Sequence, residues 1–383
     1  MARSSGSFVV TTTHGEAVRA FVPLPLPPIE PLLDPRSYEQ QGRRAELALA
    51  RLAAMSGLVA SGEWLIYSAI RKEALLTSQL EGTQATLTDV FDDEAGIRVN
   101  NADDVEEVTN YLQAFRYVRE QLGSPTGLPL STRLLTEAHC ILLSGVRGAS
   151  RQPGTIRTTQ NWIGGTRPGN AAFVPPPSGE VHALLGALER YIHHEGEQEL
   201  PPLVRIALIH AQFETIHPFL DGNGRIGRLL IAMLLEHWML LPEPLLYVSS
   251  YLKAHQAEYY RRLSAVRLDG DWEGWVSFFL EGVERSADDA QRNIVALATR
   301  IASDRKLVLG AGNSTLQTMR LFEMLPTMPK LTVERAQSAL HVSAPTARAA
   351  IVSLESLGIL RETSGRSRRQ TYAYLAYMDL LRD

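Results

Sequence analysis

Apolar residues recur every three or four positions, almost without interruption, between residues 38 and about 309. This spacing places them along one face of a helix, and the pattern continues through one run after another. Clear examples are RRAELALARLAAM, VEEVTNYLQAFRYV, VHALLGALERYI and LVRIALIHAQF. The sequence therefore predicts a mainly α-helical protein that buries its core between packed helices.

Two segments depart from this helical pattern. Residues 154–177, GTIRTTQNWIGGTRPGNAAFVPPP, combine short β-prone runs with Gly-Gly and Pro-Gly-Asn sequences. We predict a small β-hairpin flap that projects from the helical body. Residues 1–40 contain VPLPLPPIEP, and proline favours extended backbone. We predict a proline-rich arm packed along its own domain, with a PxxP ligand for another protein as the alternative.

The pattern changes again after about residue 312. One helix stops at Pro326, and TVERAQSAL and SAPTARAAIVSLESLG are typical of two short helices that each follow a Thr or Ser cap. ILRETSGRSRRQTYAYL then indicates two strands around a glycine turn. This order predicts a winged helix over residues 313–383, after an arm (1–40), an N-terminal helical region (41–120) and a helical core (121–309).

Composition and charge limit the kinds of partner. The chain has 38 Lys and Arg against 42 Asp and Glu, so its net charge of -4 gives no overall attraction to nucleic acid. No apolar stretch approaches the ~20 residues that span a bilayer, and no signal peptide is evident. One cysteine, Cys140, excludes an internal disulfide. We expect a cytoplasmic protein without a membrane partner.

The sequence IHPFLDGNGRIGRLLI, residues 216–231, carries the chemistry. His217 ends one predicted helix, and a tight loop leads into the next. Unpaired N–H groups at a helix N-terminus favour an anion, and Gly222 and Gly224 let the anion approach the backbone. Arg225 and Arg228 lie on one helix face and suit phosphate oxygens.

Two further residue types complete this chemistry. Asp221 offers a hard oxygen ligand to a Mg²⁺ that bridges phosphates, and His217 can accept a proton from a hydroxyl near neutral pH. The stretch therefore indicates phosphoryl or nucleotidyl transfer. An EF-hand is excluded because its twelfth position would be Ala232 instead of glutamate. A metal site on His210 and His217 lacks a third ligand, and no Walker A loop is present.

HPFLDGNGRIGR fits the signature HPFx[D/N]GNGRxxR of the Fic (Fic/Doc) family, and the chain resembles that family over nearly its whole length. TSQLEGT, with Thr77, Glu81 and Gly82, is similar to the family's inhibitory pattern [S/T]xxxE[G/N]. The NWIGG flap, YVSSYLKAHQAEYYRRL and GDWEGWVSFFLEGV also resemble the bacterial group with an N-terminal inhibitory helix and a C-terminal winged helix. The resemblance implies an inhibitory helix at about 64–82 and a Fic catalytic core at 121–309.

The resemblance also implies an activity: a protein adenylyltransferase that moves AMP from ATP to a Ser, Thr or Tyr hydroxyl of an unidentified target protein, with release of pyrophosphate and self-modification. His217 would be the catalytic base, and Asp221 would bind Mg²⁺, with Mn²⁺ as a substitute. The residues implied to bind the ATP phosphates are Gly222, Asn223, Gly224, Arg225 and Arg228. Doc-like kinases have lysine at position 224, so Gly224 favours AMP transfer.

Glu81 is the implied inhibitory residue. A glutamate at a helix C-terminus opposes the helix dipole, which suggests a cationic partner elsewhere. In the family this glutamate pairs with the second motif arginine, here Arg228, and keeps ATP in a non-productive pose. The resemblance therefore implies an auto-inhibited enzyme, with de-AMPylation as the main activity in an alternative interpretation.

Other residues receive weaker assignments. Ile163 and Gly164 are candidates for docking the target on the flap, and Tyr259 and Tyr260 are candidates for the adenine and ribose pocket or for ordinary helix packing. Arg361, Arg366, Arg368 and Arg369 lie on the predicted wing. A homodimer, DNA binding through the winged helix, and a DNA-binding regulator with a nucleotide-sensing Fic domain stay open.

Overall fold

The computed structural model describes residues 3–57, 62–146, 148, 150–193, 200–312 and 314–382. Helices dominate it, so the prediction of a mainly helical fold is confirmed. The helices are α1 (Glu39–Ser56), α2 (Glu63–Leu80), α3 (Leu87–Glu94), α4 (Ala102–Gly123), α5 (Thr132–Leu142), α6 (Ser178–Ile192), α7 (Pro202–Ile216), α8 (Asn223–His237), α9 (Ser249–Ala254), α10 (Gln256–Asp269), α11 (Trp272–Gly310), α12 (Leu316–Met324), α13 (Val333–Leu340), α14 (Ala344–Ser356) and α15 (Leu375–Arg382).

Helix α7 lies at the centre of the core. Every residue from Leu203 to Ile216 is buried, which is the pattern of a helix surrounded on all sides by protein. α8 follows it after a short loop and packs beside it, and α11 crosses it with Trp275, whose indole N–H donates to the Ala207 carbonyl at 2.8 Å. The loop between α7 and α8 is therefore held at both ends by the most buried part of the molecule.

The N-terminal segment is more ordered than the sequence predicted. Strands β1 (Gly6–Thr13) and β2 (Glu16–Pro23) form an antiparallel hairpin in register from Gly6 opposite Pro23. His14 and Gly15 make its two-residue turn with positive φ values of 50° and 79°. Sequence analysis did not predict this pairing of residues 6–23, which the β-branched and aromatic residues of FVVTTT and AVRAFV favour. The proline-rich part begins only at the end of β2.

The flap is less regular than predicted. An isolated bridge between Ile163 and Phe173 replaces the expected pair of strands. Gly164 and Gly165 have positive φ, and a 3₁₀ turn over Pro168–Asn170 shortens the pairing. The flap instead packs on the N-terminal hairpin, where the Phe21 N–H donates to the Val174 carbonyl at 3.0 Å.

The C-terminal segment contains α12, β3 (Lys330–Thr332), α13, α14, β4 (Arg361–Glu362), β5 (Thr371–Ala373) and α15. Its antiparallel sheet has the strand order β3-β5-β4, and residues 363–370 join β4 to β5. Sequence analysis missed β3 and α15. Both are short, and each lies next to an element with a clearer sequence pattern, α13 or β5. The assignment as a winged helix stays a prediction. No helix within the described ranges is both long and apolar enough to cross a bilayer.

Candidate active site

The end of α7 places His217 at the mouth of the loop. His217 caps the helix in the left-handed region, with φ 49° and ψ 63°, a conformation that needs support in a residue other than glycine. Arg157 supplies that support: its Nε donates to the His217 carbonyl at 2.9 Å and its Nη2 to the Ile216 carbonyl at 3.3 Å. Arg157 is buried and was missed by sequence analysis, because its bonds to this loop go to backbone carbonyls about 60 residues away.

Asn223 braces the loop from within. Its side-chain amide donates to the Phe219 carbonyl at 2.8 Å, and its side-chain oxygen accepts from the Phe219 N–H at 2.8 Å. The side chain is thus committed to the loop, so any contact of Asn223 with a phosphate would use the backbone. Gly222, the N-cap of α8, has a φ of 76°, which favours glycine there.

His139 is a second residue that sequence analysis missed. The Gly154 N–H donates to its Nδ1 at 2.9 Å, so the ring proton lies on Nε2, which donates to the Asp221 carbonyl at 3.0 Å. The ring also stacks on Phe219 with 3.8 Å between centroids. Burial lowers the pKa of His139 to about 4, and the neutral ring fixes the backbone of the loop. The sequence did indicate that His139 is buried, because it lies inside the apolar run AHCILL.

Arg225 enters a buried ion pair. Its Nη1 lies 2.9 Å from Oε2 of Glu107 on α4, and both side chains are at most 3% exposed. Its Nη2 is 3.7 Å from Asp221 Oδ1, and its buried Nε has no hydrogen-bond partner within the described structure. Glu107 was not predicted as a site residue, although a glutamate on the buried face of α4 is an unusual placement.

Arg228 joins α8 to the end of α2. Its Nε donates to Thr77 Oγ1 at 2.6 Å, and its Nη2 contacts the Thr77 carbonyl at 3.2 Å and Glu81 Oε1 at 2.5 Å. The Arg228 side chain is 1% exposed and that of Glu81 is 32% exposed. Burial tends to raise the pKa of the Glu81 carboxyl, but the charge and hydrogen bond of Arg228 outweigh burial and hold that pKa below its usual value.

The Glu81 carboxylate lies over the first turn of α8. A Cβ atom built on Gly224 would collide with Glu81 Oε1 and would approach Arg228 Nη1 to 2.9 Å. A side chain at this position would therefore require the Glu81 carboxylate to move. The carboxylate occupies the region where the helix N-terminus attracts an anion.

His217 is neutral in this environment. Loss of hydration lowers the pKa of His217 to about 3, with further contributions from the charges of Arg267 and Arg157. A neutral imidazole can accept a proton, and a pKa this low makes it a weaker base than a free histidine. The flap reaches the same loop, because the Asn161 side-chain amide donates to the Phe219 carbonyl at 3.1 Å. Ile163 and Gly164 lie further out, at the bridged and exposed part of the flap.

The two candidate tyrosines differ. Tyr259 is 1% exposed, and its hydroxyl lies 2.8 Å from Nε2 of the buried His210, so it is a packing residue in this structure. Tyr260 is 46% exposed, and Glu81 is near enough that its charge, after burial, raises the pKa of the Tyr260 hydroxyl. Tyr260 stays the candidate for contact with a nucleotide.

A magnesium ion fits the donors present. The described residues hold no group of three or more His, Cys, Asp or Glu side chains that could bind a metal by themselves. Mg²⁺ commonly uses one or two carboxylates and completes its shell with water and substrate phosphates. The Asp221 side chain, 41% exposed beside the anion site, matches that chemistry.

We expect His210 to make stability depend on pH. Burial, followed by the charge of Arg228, lowers the pKa of His210 to about 3, whereas an unfolded histidine titrates near 6.5. The unfolded chain therefore binds a proton first as the pH falls, and His210 costs stability below pH 6.5. The difference in unfolding free energy, wild type minus His210→Gln, should fall by about 2.5 kcal/mol between pH 7 and pH 4.5, as measured by urea denaturation. An unchanged difference would contradict a buried neutral ring.

Known protein families and relatives match the regions of the chain that build this site. The sequence model described as Fic/DOC family N-terminal matches residues 40–120, and that described as Fic/DOC family matches residues 129–235. The protein adenylyltransferase Fic of Drosophila grimshawi is 28% identical over 212 residues, and that of Drosophila melanogaster is 26% identical over 212 residues. These alignments cover 55% of the chain and 40% or 39% of those proteins, so the chain spans about two fifths of the length of these relatives.

Solved structures share the fold. A Fic family protein from Desulfovibrio desulfuricans aligns with a TM-score of 0.53 at 22% identity, over 86% of this chain and 95% of that one. Fic-1 from C. elegans aligns with a TM-score of 0.51 at 23% identity, over 68% of this chain and 74% of that one. Both sequence models match along the helices that build the α7–α8 site, so residues 40–120 and 129–235 form a Fic/DOC N-terminal region and a Fic/DOC region.

Proposed function

We propose that the protein is an auto-inhibited protein adenylyltransferase that transfers AMP from ATP to a Ser, Thr or Tyr hydroxyl of a target protein. The observation that carries this proposal is the Glu81 carboxylate, which lies over Gly224 at the N-terminus of α8 while it pairs with Arg228. A nucleotide phosphate and this carboxylate would compete for the same place and the same guanidinium. The similarity to proteins named protein adenylyltransferase supports the reaction class.

The proposed reaction uses the loop and the first turn of α8. The target hydroxyl attacks the α-phosphorus of ATP, a new oxygen–phosphorus bond forms, the bond to the β-phosphate breaks, and pyrophosphate leaves. His217 takes the hydroxyl proton, which its neutral ring allows. Backbone N–H groups in the first turn of α8, at Asn223 and Gly224, would face the developing negative charge, whereas the Gly222 N–H donates to Asp221 Oδ1 at 2.6 Å. Magnesium held at Asp221 would neutralise charge on the phosphates.

The inhibition follows from competition for Arg228. In this structure Thr77 and Glu81 occupy Nε and Nη2 of that side chain. If a phosphate replaced the Glu81 carboxylate, the buried Arg228 guanidinium would still have an anionic partner. Binding of the phosphate therefore requires only that Glu81 moves away. Because the Glu81 side chain is about one-third exposed, at 32%, it can leave without opening the core.

We expect Glu81→Gly to activate the enzyme. With α-³²P-ATP and Mg²⁺, Glu81→Gly should label itself at least tenfold faster than wild type, because Arg228 becomes available to phosphate. A charge-assisted hydrogen bond of this kind is worth about 1.5–3 kcal/mol, which corresponds to about 10–150-fold. Glu81→Gly/His217→Ala should not label. Gel autoradiography measures the initial rates.

Two controls define this experiment. Glu63→Gly, at the opposite end of α2, removes another glutamate of the same helix and should leave labelling at the wild-type level. γ-³²P-ATP should give no label, since pyrophosphate carries the γ-phosphate away. Labelling from γ-³²P-ATP would replace AMP transfer by phosphorylation, and equal labelling by wild type and Glu81→Gly would contradict the inhibitory role.

The reverse activity is the second candidate, and Glu81 also favours it. Its carboxylate lies close enough to His217 for its charge to act on the pKa of that ring, so it could orient a water molecule toward a bound AMP ester. Self-labelled Glu81→Gly protein, repurified and mixed with unlabelled wild type, should lose AMP if wild type is mainly a de-AMPylase. Stable label under these conditions would leave AMP transfer as the main activity.

We expect Glu107 to support the reaction through Arg225. Removal of one partner from a buried ion pair commonly costs about 3–5 kcal/mol, and glutamine keeps the shape of the side chain. In the Glu81→Gly background, Glu107→Gln should lower the initial labelling rate at least tenfold, because Arg225 loses its fixed orientation toward the phosphates.

Glu106→Gln is the matched control, since Glu106 is the exposed neighbour on the same helix and should change neither rate nor stability. Circular dichroism during thermal unfolding separates loss of fold from loss of rate. A Glu107→Gln double variant that labels as fast as Glu81→Gly alone would contradict the positioning role of Glu107.

A further inference from the structure

An open cleft separates the C-terminal segment from the end of α3. Its volume is about 860 Å³, and its lining comes from the chain just after α3, from α13 and from the β4–β5 connection. Four arginines face it from these three places: Arg98, Arg335, Arg366 and Arg369. The concentration of arginine is unusual for a chain whose net charge is -4.

These four guanidinium groups lack carboxylate partners. None of them forms an ion pair within the part of the chain that the structure describes. Of the two glutamates that line the cleft, Glu94 is already bound by Arg71 of α2, with 2.7 Å between Nε and Oε1, and by the Tyr67 hydroxyl. Glu334 is then the one lining carboxylate not already engaged by an arginine in the described structure. The cleft is therefore strongly positive.

Arginines elsewhere in the same region behave differently. Arg300 binds both carboxylate oxygens of Asp304 at 2.8 Å, and Arg305 binds both of those of Glu323 at 2.7 and 2.5 Å. Nearby carboxylates thus neutralise the arginines of α11, whereas the cleft gathers like charges that repel one another. Such an arrangement is favourable when an anionic ligand supplies the missing charge.

The exposure of the cleft arginines favours a polyanion over a small anion as the ligand. Arg98, Arg366 and Arg369 are exposed, so water screens each one and a single small anion would gain little, about 1 kcal/mol per contact. A polyanion contacts several of them at once and gains further from the release of its condensed counterions. No aromatic side chain lines the described cleft, so the unstacked bases of a single strand would find no platform.

We propose that this cleft binds the phosphate backbone of a duplex nucleic acid, with Arg98 on one wall and Arg366 and Arg369 on the other. The binding is independent of the proposed AMP transfer, because it uses none of the residues around α8. Arg98 is the diagnostic residue. It lies outside the C-terminal segment, so its participation distinguishes this cleft from contacts made by the β4–β5 connection alone.

The test is the salt dependence of duplex binding. A fluorescein-labelled 24-base-pair DNA of mixed sequence is titrated with the full chain, and anisotropy is read between 50 and 200 mM NaCl. Four phosphate contacts predict about a 150-fold loss of affinity over this range, from a slope of about -0.9 per contact. Arg98→Gln should lose about 40-fold, and Arg98→Gln/Arg366→Gln/Arg369→Gln only about 3.5-fold.

Arg320→Gln is the matched control. It removes an equal charge from an exposed position on α12, outside the cleft, and should keep the wild-type salt dependence. Circular dichroism confirms that each variant is folded. The proposal is overturned if wild type does not bind the duplex at 50 mM NaCl or if the triple variant keeps the wild-type slope.

Two competition results would also overturn it. Complete displacement of the duplex by tripolyphosphate at equal phosphate concentration would identify a small-anion site. Tighter binding of the corresponding single strand than of the duplex would identify a different class of nucleic acid. The duplex assignment is supported if tripolyphosphate and the single strand each displace the duplex only weakly from wild type, and if neither displaces it from the triple variant.

Discussion

The structure depends on how two arginines at the start of α8 are compensated. Arg225 and Arg228 point into the interior, where an unpaired guanidinium would cost several kcal/mol. Helices from the N-terminal region supply the missing charge: Glu107 comes from α4 and Glu81 from the end of α2. These two ion pairs therefore tie the N-terminal helical region to the loop between α7 and α8.

The two carboxylates differ in how deeply they are buried. Glu107 is 2% exposed and lies deep between α4 and α8, where no ligand could replace it without disrupting the core. Glu81 is 32% exposed at a helix end, and an anion approaching α8 would meet it first. One pair is suited to fix the geometry of an arginine, and the other is suited to be exchanged.

The loop between these helices is held by three side chains that hydrogen-bond its backbone. His139 is neutral and fixes the Asp221 carbonyl, and Asn223 closes the loop on Phe219. Arg157 donates to the backbone carbonyls of His217 and Ile216. The backbone that would face a phosphate is therefore set before any ligand binds, which is the preorganisation that charge stabilisation requires.

By itself the sequence determined the helical architecture and predicted an anion-binding site at residues 216–231, because amphipathic spacing and a glycine-rich helix start are local features. The Glu81 interpretation also came from a local pattern. Only the tertiary structure decided that residues 6–23 pair as strands and that His139, Arg157 and Glu107 support the loop. Each of these contacts joins residues far apart in the chain, and the free energy of a buried ion pair or a fixed carbonyl exists only after packing excludes water.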